Sequence, residues 1–295
     1  MSGKPADHKT KSNSSFEYRT PNGTLIAIGG RENKGDDPAA EDSNSHNLNF
    51  VKNEILERFV NELPGKNPLI VVIPTASSIP EEVGRTYVKV FHQLKVKNVE
   101  VLDIQSREDS CKEEHLDLIK KANGIMFTGG DQLRLTSIFG GTDIMRLIKE
   151  RYFKEKLVIA GTSAGAAAMS TQMIYQGRSE EGFIKGAVSI TAGLELLNDA
   201  AIDTHFISRG RIVRMAQMIA TNPTFIGIGL EEDTGIVVKK GREIEVIGSG
   251  LVMIVDGRSS TSTNIYKVQE GVPITIRDLK VHLLGKGDTY TIEIF

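Results

Sequence analysis

One cysteine in 295 residues excludes several kinds of protein at once. Cys111 has no partner for an internal disulfide, which suits a reducing compartment and the cytoplasm. With no cysteine pair and no His-Glu-x-x-His segment, the usual zinc signatures are missing too, and no metal is expected. An excess of charge is equally lacking: 36 Lys and Arg stand against 38 Asp and Glu, a formal net charge of -2. No basic block is long enough to form the broad face of a nucleic-acid binder or to draw the chain to an anionic membrane, so neither is expected as a partner. No apolar run reaches membrane-spanning length, and residues 1–20, polar and rich in Lys, Ser and Asn, hold no signal-peptide core. They read as a flexible tail ahead of a single domain over 21–295.

What the chain does have is enough apolar material, 39% of its residues, to fill one core near the upper size for a single domain. From Thr24 onward short apolar runs alternate with amphipathic stretches, the pattern of βαβ units around a parallel sheet. Thr24 to Gly30 reads as a buried strand ending in glycines. After a polar loop from Arg31, a helix is expected whose core stripe takes in Leu48, Val51, Ile55 and Phe59. Further strands are expected from Leu69, Val99, Ile125 and Leu157, with helical stretches through Tyr87 and Phe91 and around Leu116 and Ile119 between them, as parallel pairing requires. After Gly193 a helix is expected over Ser208–Ala220, then short strands from Phe225 to Phe295 that form antiparallel hairpins extending the sheet. The fold class is α/β: a doubly wound, mostly parallel sheet with flanking helices.

The fifth strand runs into Gly161-x-Ser163-x-Gly165 ahead of an Ala-rich helix. In such a nucleophile elbow a sharp turn forces the serine into strained φ/ψ, and small neighbours relieve the crowding. The start of the helix favours developing negative charge, so an oxyanion can rest on the amide of Ala164 and on an amide of the Gly129-Gly130 turn that ends the fourth strand. The plainer reading of the pattern is a helix-capping serine between tight-turn glycines; its strand-turn-helix setting favours the nucleophile. A serine needs a base, usually an imidazole oriented by a carboxylate. Of the six histidines, His205 is the best placed, just past an apolar stretch and before a helix, with acidic residues between it and the elbow. For the orienting acid the intervening stretch offers Glu180, Glu181, Glu195, Asp199 and Asp203, and spacing alone does not choose among them. Arg211 and Arg214, three apart on one helix face beside Arg209, are placed to grip a substrate carboxylate through their guanidinium forks; the plain alternative is a solvated face paired with nearby acids.

Taken together, Gly129-Gly-Asp-Gln132, Gly161-Thr-Ser-Ala-Gly-Ala166, Asp203-x-His205-Phe206 and Arg209-Gly-Arg211, in this order and in a chain of this size, resemble the cyanophycinase family of serine peptidases, relatives of dipeptidase E with a class I glutamine amidotransferase-like fold. The resemblance runs from about Gly23 through Thr234. It implies a homodimeric exopeptidase that needs no cofactor and hydrolyses cyanophycin, a polyaspartate backbone bearing arginine on each β-carboxyl, to β-Asp-Arg dipeptides. Position by position it makes Ser163 the nucleophile, His205 the general base and Glu181 the carboxylate that orients the imidazole, with Glu180 as the fallback. Gln132, Asp203, Thr204, Arg209, Arg211 and Arg214 then line the substrate pocket, Gly130 and Ala164 supply the oxyanion amides, and Glu231-Glu232-Asp233 is a weaker candidate for holding a cationic side chain. Thr204 departs from the family, whose motif carries glutamine there. That shorter side chain puts a substrate contact in doubt, leaving as alternatives a dipeptidase E-like enzyme acting on short isoaspartyl peptides and a catalytically weakened binding homologue.

Overall fold

Apolar runs that are buried on both faces and returned by helices become parallel strands. The computed structural model describes residues 20–35 and 47–293; the tail expected over 1–20 lies, apart from Thr20, outside the described residues. Strands β1 (Thr24–Ile28), β2 (Leu69–Ile73), β3 (Asn98–Val101), β4 (Gly124–Phe127) and β5 (Val158–Thr162) run parallel in the spatial order β1-β5-β4-β2-β3. Helices α1 (Glu54–Glu62), α2 (Pro80–Gln93), α3 (Glu113–Lys121), α4 (Gln132–Phe139) and α5 (Asp143–Lys154) connect them, and the short α6 (Ala164–Ala168) follows β5.

Alternate strand residues point to opposite faces, and the core divides accordingly. Ile26, Ile28, Ile70 and Val72 pack with Ile55, Phe59, Tyr87 and Phe91 of α1 and α2. Leu25, Ala27, Val71, Ile73 and Phe127 pack with Ile119, Phe139, Ile148 and Tyr152 on the opposite face. The doubly wound α/β architecture read from the sequence is therefore the one present. The first helix is shorter than its stripe suggests: Ile55 and Phe59 are buried, whereas Leu48 and Val51 precede the helix and are exposed. Asn53, left-handed at φ 60, turns the chain just before Glu54 and stops the helix from continuing upstream.

The second half brings β6 (Gln172–Gln176) and β7 (Ser189–Ala192), which pair as an antiparallel hairpin, then β8 (Ala200–Thr204) and α7 (Ile212–Thr221). The remaining strands are β9 (Ile226–Leu230), β10 (Thr234–Lys239), β11 (Glu243–Gly248), β12 (Val252–Asp256), β13 (Ser262–Thr263), β14 (Ile276–Arg277), β15 (Lys280–Leu284) and β16 (Thr289–Thr291). Among the described residues, β10, β11 and β16 extend the main sheet, antiparallel beyond β1. The order β15-β12-β9-β8 forms a second sheet, antiparallel except for the parallel pair β8 and β9, so the expected antiparallel strands are present but only part of them extends the main sheet. The division occurs at Glu231-Glu232-Asp233, where Asp233 at φ 48 bends the chain and sends the two halves of one apolar region into different sheets. Among the described residues no helix is long and apolar enough to cross a membrane.

Candidate active site

The carboxyl end of β1 is where the two sheets meet. Three successive carbonyls there accept amides from three distant parts of the chain: Ile28 from Ser163 at 2.9 Å, Gly29 from His205 at 3.0 Å and Gly30 from Asp233 at 2.9 Å. The end of β5, the end of β8 and the β9–β10 junction are thereby fixed against one stretch of backbone.

Ser163 leaves β5 with φ 49 and ψ -111, outside the regions comfortable for a residue with a Cβ. The turn closes only because Gly165 lacks a side chain; a Cβ there would lie 2.4 Å from the Phe127 carbonyl oxygen. His205, also at positive φ, follows β8 and is buried, and its Nε2 lies 3.0 Å from Ser163 Oγ. Its Nδ1 lies 2.6 Å from Glu232 Oε1. A carboxylate accepts only, so Nδ1–H donates to Glu232 and Nε2 is left to accept from the serine hydroxyl. Burial lowers the His205 pKa below its usual value; the Glu232 carboxylate opposes this, while the charges of Arg209 and Arg211 add to it. The ring is therefore neutral near pH 7, the form a general base requires.

Glu232 is the residue that sequence reasoning assigned differently. Glu181 and Glu180 are exposed, and neither carboxylate bonds His205, whose Nδ1 is taken by Glu232. The acidic trio, a weaker candidate for holding a substrate cation, has each member engaged within the protein. Glu231 accepts the amide of Ser208 at 3.0 Å, Glu232 meets His205 and Arg31, and buried Asp233 accepts Asn33 N–H at 2.9 Å and the Ser249 hydroxyl at 2.7 Å. The usable signal was its position: acids placed where one strand ends and the next begins in another sheet.

The pocket residues separate in a similar way. Asp203, buried at the end of β8, accepts from Arg214 Nε at 2.6 Å, from Arg214 Nη2 and from Arg211 Nη1 at 3.0 Å. Arg211 also donates to the Thr204 carbonyl and Arg214 to that of Gly177. Both guanidinium forks thus close on a protein carboxylate, so α7 begins with an internal ion cluster. The helix itself starts only at Ile212. Arg209 is exposed, and its guanidinium makes no ion pair or hydrogen bond among the described residues. Gln132, at the start of α4, donates to the Ile174 carbonyl at 3.1 Å, and buried Thr204 donates its amide to Asp203. The Gly129-Gly130 turn borders the serine: a Cβ on Gly129 would lie 3.4 Å from Ser163 Cβ. The amides of Gly130 and Ala164 donate to no acceptor among the described residues.

A hydroxyl held upright in a strained turn, with a neutral imidazole on it and a carboxylate behind, is what acyl transfer through serine needs. The protein is a serine-type peptidase. More narrowly, residues 42–247 match peptidase family S51, and the chain belongs to that family. The cyanophycinase of Geminocystis herdmanii is 38% identical over 237 residues, covering 80% of this chain and 87% of that protein. Those of Trichormus variabilis and Synechococcus elongatus are 35% and 32% identical, covering 94% and 96% of this chain and 89% and 83% of their own lengths. The crystal structure of a peptidase from an acI-B1 actinobacterium superposes with a TM-score of 0.64 at 21% identity, over 93% of this chain and 98% of that one, a likeness of fold.

Proposed function

We propose that this chain is an exopeptidase that releases β-Asp-Arg dipeptides from cyanophycin through an acyl-enzyme on Ser163. The observation that carries the reading is the continuous hydrogen-bond line from Ser163 Oγ through the His205 ring to Glu232. His205 Nε2 takes the proton as Ser163 Oγ attacks the scissile carbonyl carbon; Glu232 holds the tautomer and stabilises the imidazolium. The oxyanion settles on the amides of Gly130 and Ala164, the imidazolium returns its proton to the leaving amine, and water, deprotonated by the same ring, frees the acyl group. The exposed guanidinium of Arg209 receives a substrate carboxylate, and Gln132 and Thr204 border the pocket. The Asp203–Arg211–Arg214 cluster shapes its wall. The curated relatives that bear the name cyanophycinase support the polymer as substrate. The resemblance of the motifs supports a homodimer that needs no cofactor, and the lone cysteine supports a cytoplasmic unit over residues 21–295.

Thr204, in place of the glutamine of the family motif, favours one second reading, a preference for short isoaspartyl peptides. Parallel assays on cyanophycin and on isoaspartyl dipeptides separate the two by product. For the mechanism, Ser163→Ala is expected to abolish dipeptide release while leaving the thermal melt nearly unchanged. Release at the parent rate by that variant overturns the reading.

A further inference from the structure

Behind Ser163 lies a carboxylate that no acyl-transfer step touches. Glu32 is 3% exposed, two residues beyond Gly30. A buried carboxylate persists only where charge and hydrogen bonds replace its water. Glu32 has both: Lys34 Nζ lies 3.0 Å from Oε1, the buried Tyr87 hydroxyl donates to Oε1, and the Thr162 hydroxyl donates to Oε2 at 2.6 Å. Burial pushes its pKa up, but the Lys34 charge and the bonds from Thr162, Tyr87 and Lys34 outweigh that and hold it below the ordinary glutamate value. Glu32 is thus an acceptor at neutral pH.

Thr162 is the last residue of β5 and the one directly before Ser163. A backbone as strained as that of Ser163 is kept only where its surroundings over-determine it. On one side Ser163 N–H is tied to the Ile28 carbonyl; on the other, the side chain of Thr162, stiff at χ1 because it is β-branched, is tied to Glu32. Both ties come from the stretch 28–33. That stretch also accepts the His205 and Asp233 amides and donates Asn33 N–H to the Asp233 carboxylate.

We propose that Glu32 is a positioning residue: through the Thr162 hydroxyl it fixes the backbone entering the strained turn, and so aims Ser163 Oγ at His205 Nε2. The inference rests on Ser163 being the nucleophile. Its consequence is a loss in the chemical step, with substrate binding kept, when either end of the tie is removed.

The test uses the full-length protein, with steady-state dipeptide release from cyanophycin, labelling by a fluorophosphonate probe and thermal melts. Thr162→Val removes the hydroxyl and keeps the shape, whereas Thr162→Ser keeps the hydroxyl. Thr162→Val is expected to lower kcat and the labelling rate about tenfold to a hundredfold with KM within about twofold, and Thr162→Ser to recover most of the loss. Glu32→Gln is expected to match Thr162→Val, and the double variant to lose little more than either single one, since both cut the same tie. If Glu32→Gln does not fold, the two Thr162 variants decide alone. A folded Thr162→Val enzyme that labels and turns over at the parent rate overturns the inference, as does a loss that serine fails to restore. A parent enzyme that neither labels nor turns over overturns the nucleophile assignment instead, which keeps the two failures apart.

Discussion

Gly30 lies so close to the imidazole of His205 that a Cβ on it would fall 2.5 Å from both Cε1 and Nε2 of the ring. The imidazole is held at both nitrogens and cannot tilt away without giving up Ser163 or Glu232. Gly30 also has φ 102, a conformation that side chains rarely adopt. Gly30→Ala is therefore expected to cost about 1–3 kcal/mol of stability and to reduce kcat about a hundredfold. Urea unfolding read alongside probe labelling checks it, and labelling at the parent rate would show that the ring has room to move.

Glu232 and Glu181 make opposite predictions on replacement by glutamine. At Glu232 an amide can present its NH2 to Nδ1 and favour the wrong tautomer, with an expected drop in kcat of about a hundredfold to ten-thousandfold. At Glu181, exposed and without a bond to the imidazole, kcat should stay within about twofold. Side-by-side kinetics of the two variants give the answer, and equal losses would refute the geometry.

The pH dependence follows from the charges around the ring. Burial, aided by Arg209 and Arg211, lowers the His205 pKa against the pull of Glu232, and only the neutral ring accepts the serine proton. The acid limb of kcat/KM should accordingly bend at a pH below 6.5, the usual value for histidine. Arg209→Gln removes a cation that disfavours imidazolium, so protonation becomes easier and the limb should move to higher pH. Profiles of the parent and the variant at matched ionic strength test both the position and the sign, and a shift in the other direction contradicts the arrangement.

Asp203 should behave as a stability residue. Asp203→Asn leaves the Arg211 and Arg214 guanidiniums partly buried without their counter-charge, expected to cost about 3–5 kcal/mol. Denaturant melts measure it. If Asp203→Asn unfolds at the parent midpoint, the cluster is not holding α7 to β8.

The parallel half of the fold was legible because each of its strands is an apolar run buried on both faces and each return is helical; β2 and β4, flanked on both sides, show this most clearly. Ser163 was legible for a local reason: the glycines around it belong to the same turn. Glu232 was not, since nothing within the span from Ser163 to His205 announces an acid that enters from the far side of β9. Arg211 and Arg214 kept two readings because an arginine that grips substrate and one that closes on Asp203 have the same spacing. What separates them is burial, and burial at that point is made by the second sheet, whose pairing of β8 with β9 leaves no periodic trace.

The row of acceptors at residues 28–30 bears on when the site is completed during synthesis. Synthesis delivers Ser163 well before His205, and both before the segment that carries Glu232 and Asp233. Until that last segment emerges from the ribosome and docks, the imidazole lacks the carboxylate that orients it and the line from Ser163 to Glu232 is incomplete. The site is therefore assembled by the docking of the β9–β10 junction, and a chain cut before Glu232 lacks the carboxylate that bonds His205.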